Sequence, residues 1–199
     1  MADFRTLGAA LLVIATGVLG FLAVALGQRV RHADSDLSGR GELAVGALLG
    51  GLGGLLYYGG LVRTPSYNWV TVFGATLAAV GLLTIVTSRL AATASSRGGG
   101  SDSLLADPRM MFLGVAVAGF GAFFTVPAKP TTPIFFVVLA VPLLRLGGDF
   151  RFVVRTVVAI TGAALTFLVA AVALGFWPVG FVRVFLTAVL GPSLLPQQG

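Results

Sequence analysis

The distribution of basic residues is the feature that most constrains how this chain can fold. Six apolar runs alternate with short segments that hold the 13 Lys and Arg residues, one and three at a time. The segments with one each contain Arg5, Arg63, Lys129 and Arg183. The segments with three each contain Arg29, Arg31 and Arg40, then Arg89, Arg97 and Arg109, then Arg145, Arg151 and Arg155. Because cytoplasmic loops carry the Lys/Arg excess, the pattern predicts six membrane crossings with both termini outside.

Composition places the chain in the membrane. It is 57% hydrophobic and 10% charged, with a mean hydropathy of +1.00, whereas soluble domains carry about 25% charged residues. The 199 residues suffice for one bundle and little else, so we expect an all-α integral membrane protein of about six transmembrane helices. The basic residues are scattered and lack interleaved aromatic residues, so we predict no nucleic-acid partner.

The first three crossings are predicted at residues 7–26, 42–61 and 69–88. Each reaches the roughly 20 residues that a helix needs to span the hydrocarbon of a bilayer. Arg5 before the first run would also suit a signal peptide, with cleavage near Ala23. We prefer a transmembrane helix, because the apolar stretch exceeds the roughly 7–15 residues of a signal sequence.

A single low-complexity segment divides the chain. Residues 89–109 are rich in Ser, Gly and Ala, a composition typical of flexible linkers. We therefore predict a cytoplasmic linker between two three-helix halves, residues 1–88 and 110–199. Near its end, Pro108 is predicted to begin the next helix, with Asp107 as its N-cap.

The second half is less regular than the first. Residues 110–126 form a minimal span, and residues 134–146 cover only roughly 20 Å. This short run either borrows residues 131–133 and thins the bilayer or leans on a partner. The last crossing is predicted at residues 152–177, and residues 179–190 suit a short C-terminal interfacial helix on the outer surface.

Three glycines in the second crossing form the candidate packing site. Gly46, Gly50 and Gly54 lie four residues apart and share one helix face, where another helix can approach closely. That helix belongs either to this chain or to a partner subunit. A phosphate-binding loop is excluded, since no Gly-Lys-Ser/Thr sequence follows.

The chain offers little for catalysis or cofactor binding. It has no Cys, and its single histidine, His32, falls in a basic inner loop, so we predict no metal site and no cofactor. Glu42 and Asp149 lie beside arginines in inner loops, where we expect solvated charges or surface pairs. No predicted crossing has an ionisable residue in its middle, as a proton relay would need. A polar path would have to use threonines, a minor alternative comprising Thr125, Thr131, Thr132 and Thr161.

From residue 41 to 180 the order of features resembles one known family. A Gly/Leu-rich helix beginning at Gly41-Glu42-Leu43 is followed by the outer segment Thr64-Pro65-Ser66-Tyr67-Asn68-Trp69. Residues 73–83 resemble the Gly/Leu-rich second helix of that family. An inner turn, Leu146-Gly147-Gly148-Asp149-Phe150-Arg151, and a terminal segment, Leu174-Gly175-Phe176-Trp177-Pro178-Val179-Gly180, complete the pattern. This order is similar to that of the small membrane subunit of the tripartite tricarboxylate transporters, although crossing one and the tail after Gly180 are additions.

The resemblance implies a non-catalytic accessory subunit in the cytoplasmic (inner) membrane. It implies a large multi-spanning permease as the direct partner, with membrane lipid around both. It also implies a periplasmic solute-binding protein that delivers carboxylates to the permease. The glycines Gly46, Gly50 and Gly54 are the residues we expect at a packing interface.

Other classes of function remain open at this stage. A stand-alone membrane component that captures a small molecule would need a pocket lined by polar side chains among its own helices. A structural subunit of a respiratory or photosynthetic complex would carry bound pigment or quinone. A membrane enzyme is the weakest alternative, since it needs an acid, a base, a nucleophile or a metal.

Overall fold

The fold is entirely helical in the residues that the structure, a computed structural model, describes. These residues are 2–31, 40–60, 67–96, 107–128 and 132–175. They form six helices: α1 (Ala2–Arg31), α2 (Arg40–Gly60), α3 (Tyr67–Ser96), α4 (Pro108–Ala128), α5 (Thr132–Gly147) and α6 (Phe150–Ala173). The predicted interfacial helix at residues 179–190 lies outside the described residues.

Four of these helices are long and apolar enough to cross a membrane. The candidate spans are Thr6–Val30, Val70–Ser96, Pro108–Thr125 and Phe150–Ala173. The chain is therefore an α-helical membrane protein, as its composition predicts. In α2 the apolar stretch is shorter, at Gly41–Leu56.

Helix α5 is the short element that the sequence leads us to expect. Its 16 residues, Thr132–Gly147, extend about 24 Å, less than the roughly 30 Å of bilayer hydrocarbon. It begins at Thr132, before the run predicted from residue 134. Pro142 lies inside it and cannot donate a backbone hydrogen bond there.

Aspartates fix the start of two helices. The carboxylate of Asp107 accepts a hydrogen bond of 2.8 Å from the backbone N–H of Arg109, and α4 begins at Pro108, which confirms the predicted N-cap. Asp149 plays the same role for α6 by accepting a hydrogen bond of 2.9 Å from the N–H of Phe152. A capping carboxylate satisfies N–H groups that have no partner within the helix.

The first part of the predicted linker is helical. Helix α3 continues to Ser96 and so includes residues 89–96, while residues 97–106 lie outside the described part of the chain. Ala91 is fully buried in this extension, and the hydroxyl of Thr93 donates to the carbonyl of Arg89. Its Ala, Ser and Thr residues thus continue the helix, and Ala91 packs against the bundle.

Helix α3 lies at the centre of the bundle. It packs against α1, α4 and α5, while α2 packs on α1 and α6 packs on α4 and α5. Every residue of α3 from 80 to 88 is buried. The core joins Ile85 and Val86 of α3 to Leu26 of α1, Leu144 of α5 and Val153 of α6.

Successive helices reverse direction, so their basic ends meet. Gly20 of α1 contacts Gly46 of α2, and Gly81 of α3 contacts Gly114 of α4. In each pair the later part of one helix lies beside the early part of the next, as in antiparallel packing. Gly147 at the end of α5 lies beside Val86 of α3. One end of the bundle, called the basic end here, therefore gathers the residues at which α1, α3 and α5 end and at which α2, α4 and α6 begin. It holds Arg29, Arg31, Arg40, Arg89, Arg109, Arg145, Arg151 and Arg155.

Four glycines bring α3 and α4 into backbone contact. A methyl group added at Gly81 would lie 2.5 Å from the carbonyl oxygen of Gly114, and one added at Gly121 would lie 2.5 Å from that of Gly74. These distances are far below normal van der Waals separation, so only glycine permits this approach. The contact joins the two halves of the chain that the sequence divides at residues 89–109.

We expect Gly81→Ala to destabilise the protein by about 1–3 kcal/mol, because the added methyl group would force α3 away from α4. Gly162→Ala is the matched control, since a methyl group there meets nothing within 4 Å. The control should stabilise helix α6 by about 0.5–1 kcal/mol. Thermal unfolding in detergent, followed by size-exclusion chromatography of the remaining folded protein, measures both. Equal melting temperatures for the two variants would contradict the backbone contact.

Asp149→Ala should cost about 1 kcal/mol, since the first turn of α6 loses its capping carboxylate. Asp149→Ser keeps an oxygen that can accept the same hydrogen bond, so its melting temperature should stay near that of the unsubstituted protein. If the two variants melt together, capping is not what Asp149 contributes.

Candidate functional site

The three predicted glycines of α2 contact α1 of the same chain. A methyl group at Gly46 would lie 2.8 Å from the carbonyl oxygen of Gly20, and one at Gly50 would collide with the carbonyl of Thr16. At Gly54 it would meet the Thr16 side chain and lie 3.2 Å from the carbonyl oxygen of Leu12. The structure therefore brings all three onto one face, and that face packs within the chain. We call this contact the glycine seam.

The partner residues on α1 are ones that the sequence analysis did not single out. Gly20 supplies the closest approach to α2, and Thr16 lies between Gly50 and Gly54. The Thr16 hydroxyl donates hydrogen bonds within its own helix, of 2.8 Å to the carbonyl oxygen of Leu12 and 3.2 Å to that of Val13. Thr16 and Gly20 are small residues four positions apart, and this spacing could have predicted the contact, since it is typical of closely packed helix pairs.

A polar contact joins the same two helices at the basic end. The side-chain amide of Gln28 on α1 donates a hydrogen bond of 2.8 Å to a carboxylate oxygen of Glu42 on α2. The contact is exposed, so its contribution to stability is small. Glu42 thus has an amide partner on α1 at the end of the glycine seam.

An apolar groove of about 480 Å³ opens beside the glycine seam. Its lining comes from α1, α2 and the start of α3: Leu12, Thr16, Leu19, Gly20, Ala23, Leu49, Gly50, Gly53, Gly54 and Val72. A methyl group added at Gly53 would meet no atom within 4 Å, so this glycine borders open space. The groove can accept an apolar ridge and offers almost no polar group to a ligand.

A row of exposed apolar side chains on α2 meets this groove at Leu49. Val45, Leu49, Leu52 and Leu56, called the leucine stripe here, follow one another at intervals of four, three and four residues. They are 54%, 64%, 51% and 66% exposed. Residues at this spacing share one helix face. The side of α2 next to the glycine seam is therefore apolar and is left exposed by the residues that the structure describes.

Buried threonine hydroxyls in α3 and α4 bond to their own helices, whereas the buried Ser88 hydroxyl of α3 has no hydrogen-bond partner within the described part of the chain. Thr84 donates to Val80, Thr87 to Leu83 and Thr125 to Ala122, each to a backbone carbonyl at 2.7–2.8 Å. Of the other threonines considered for a polar path, Thr161 is exposed. Thr131 and the Thr132 side chain lie outside the described residues. These threonine hydroxyls are therefore used within their own helices and do not combine into a path.

Titratable groups are also absent from the middle of the described helices. Residues 6–28, 43–60, 67–88, 110–128, 132–144 and 156–175 contain no Asp, Glu, Lys, Arg or His. Among the described residues, no three His, Cys, Asp or Glu side chains are placed to hold a metal ion. His32 lies outside the described part of the chain.

Comparison with known proteins gives no relative. No family model matches the sequence, and no curated protein or solved structure matches the chain.

Gly50→Ala should lower stability by about 1–3 kcal/mol, since its methyl group would push α2 off the Thr16 carbonyl of α1. Gly53→Ala, three residues away on the same helix, meets open space and should leave stability unchanged or slightly raised. Melting temperatures in detergent compare the two variants. A loss at Gly53 as large as that at Gly50 would show that α2 does not pack through the glycine seam.

Proposed function

We propose that this chain is a non-catalytic accessory membrane subunit of a multi-subunit secondary transporter of the tripartite tricarboxylate type. In this proposal the chain crosses the inner membrane six times, with both termini outside. It stabilises a large permease subunit that imports carboxylates. The observation that carries the proposal is the polar content of the described helices: the buried threonine hydroxyls of α3 and α4 bond to their own backbones, and no titratable group lies at mid-depth.

Helices without charged groups at mid-depth are poorly suited to binding and carrying an anion. Carriers and proton-coupled pumps keep charged or strongly polar groups inside the membrane, facing the substrate or ion pathway. Transporter sites also use broken helices that direct backbone groups at the substrate. Here α3 is continuous through the centre of the bundle, and its buried threonines are internally bonded. A subunit of this kind supports transport that takes place in another protein.

The leucine stripe and the groove beside it form the surface that we assign to the permease. Helix α2 packs on α1 through its glycines, and its leucine stripe stays exposed among the described residues. A helix of the permease laid along the groove would place its side chains between the leucine stripe and α1, the ridge-into-groove arrangement of packed helices. Gly53 would permit a close approach there.

We propose the carboxylate substrate and the periplasmic solute-binding protein on the basis of the family resemblance of residues 41–180. The permease would bind and move the carboxylate, and the solute-binding protein would deliver it at the outer face. A stand-alone protein that binds a small molecule is the second candidate, because the groove could also hold one. Its apolar lining restricts that ligand to an apolar molecule.

The first test is uptake. Deleting this chain in its native host should abolish uptake of a radiolabelled tricarboxylate such as citrate, and re-expression should restore it. The chain purified alone into proteoliposomes should transport none. Transport by the chain alone, or undiminished uptake in the deletion strain, would contradict the proposal.

The assigned surface has its own test. A photo-crosslinking amino acid at Leu52 should join this chain to the permease in native membranes, giving one product identified by mass spectrometry. The control is the same amino acid at Leu113 of α4. The two residues are equally accessible, 51% and 52% exposed, but Leu113 lies on another helix and should give no permease product. Crosslinks from Leu113 and none from Leu52 would move the interface away from α2.

A further inference from the structure

Helix α6 carries a continuous exposed stripe that the proposed function does not use. Its members are Arg151, Arg155, Val158, Gly162, Leu165 and Val169. They follow one another at intervals of four, three, four, three and four residues, so they lie along one face. Val158, Leu165 and Val169 are 65%, 54% and 66% exposed. We call this row the α6 stripe.

Two arginines head the stripe at the basic end of the bundle. Arg151 and Arg155 are four residues apart, so their side chains are neighbours on the helix surface, and both are exposed. The nearest carboxylate in sequence, Asp149, is engaged as the N-cap of α6 by the N–H of Phe152. Within the described residues neither arginine forms an ion pair. Two guanidinium groups are thus available to an anion.

A third guanidinium lies beside the first turn of α6. Arg89 of α3 lies over the ring of Phe152, 5.6 Å from its centroid, an attractive cation–π distance. The ring fits there because Gly147 and Gly148 have no side chains. A methyl group on either would lie 3.1–3.2 Å from atoms of Phe152. Phe152 is three residues from Arg155, so Arg89 adds positive charge beside the head of the stripe.

We propose that the α6 stripe binds one anionic phospholipid from the leaflet at the basic end. The phosphate contacts Arg151 and Arg155, and an acyl chain lies along Val158, Gly162 and Leu165. Guanidinium groups bind phosphate oxygens through paired, charge-assisted hydrogen bonds. A polar anion at the head and an apolar track below it match the two parts of an amphiphile.

The dimensions fit a single leaflet. Ten residues separate Arg155 from Leu165, a rise of about 15 Å along the helix. Half of the roughly 30 Å hydrocarbon thickness is also about 15 Å. The arginines thus lie at headgroup depth when Leu165 is near the bilayer midplane. A partner helix would instead have to supply a carboxylate at the membrane surface to pair with the two arginines.

Lipid binding to the purified full-length chain tests the proposal. Phosphatidylglycerol and phosphatidylcholine are titrated separately into the protein in detergent, and bound lipid is counted by native mass spectrometry. One phosphatidylglycerol should bind clearly more tightly than phosphatidylcholine. The double variant R151Q/R155Q should bind it about thirtyfold more weakly, because it loses two charge-assisted hydrogen bonds to the phosphate.

The control double variant, R31Q/R40Q, removes the same charge from the basic end at α1 and α2, which do not pack on α6. It should weaken binding by less than about threefold, because attraction between separated exposed charges is largely screened by salt. Equal losses in the two double variants would overturn the proposal, because attraction would then be diffuse. Both proteins are first compared by elution volume and melting temperature.

Two further arms identify the bound species. Phosphatidylglycerol with a photoreactive group in mid-chain should label the α6 peptide around Leu165 in the unsubstituted protein. Inorganic phosphate, added at the concentration of the lipid, should not displace it. Labelling of α2 instead would place the lipid in the groove and overturn the assignment. Displacement by phosphate would show that the site binds free anions, and would overturn the proposal. A photo-crosslinking amino acid on the α6 stripe that joined this chain to another protein in native membranes would show a partner helix there instead of lipid.

Discussion

Close approach of helix backbones at glycine is the interaction on which the rest of this structure depends. In a bilayer, apolar side chains gain little by leaving lipid for protein, so helix association relies on contact area and fit. At Gly20, Gly46 and Gly50, and again at Gly74, Gly81 and Gly121, a neighbouring backbone occupies the place of a side chain. The α1–α2 and α3–α4 pairs formed in this way are joined by the apolar core of α3.

Using glycine faces for internal packing leaves specific surfaces open. Helix α2 has its glycines on α1 and its leucine stripe outward, and α6 contacts α4 and α5 while its stripe remains exposed. The two open faces differ in chemistry. The leucine stripe borders an apolar groove and is uncharged along its length, which suits a protein helix. The α6 stripe begins with two arginines and suits an anionic lipid.

How far the sequence predicted this arrangement depends on whether a feature is local. Helix positions followed from apolar length, and Asp107 was identified as a cap because Pro108 follows it. Asp149 performs the same role, but no Pro marks the start of α6, and the neighbouring arginines suggested a surface pair instead. The helix through residues 89–96 was missed because its Ser and Ala content resembles a linker, whereas burial against the bundle stabilises it.

In the candidate site, too, the sequence predicted local features but not tertiary contacts. The repeat of Gly46, Gly50 and Gly54 predicted a shared face, but the identity of the helix on that face depends on tertiary structure. Gly74, Gly81, Gly114 and Gly121 were not singled out, since they belong to two helices and their spacing of seven is less conspicuous. The two polar features at the basic end, Gln28 with Glu42 and Arg89 with Phe152, each join residues far apart in the chain.

An experimental structure of the chain purified from its native membrane, by electron cryo-microscopy with bound subunits retained, tests the central claim most directly. The account predicts a larger multi-spanning subunit on the leucine stripe of α2. It also predicts α1 on the glycine seam of the same chain and no substrate density among α1 to α6. A structure with the glycines of α2 against another subunit, or with a substrate enclosed by this chain alone, would contradict it.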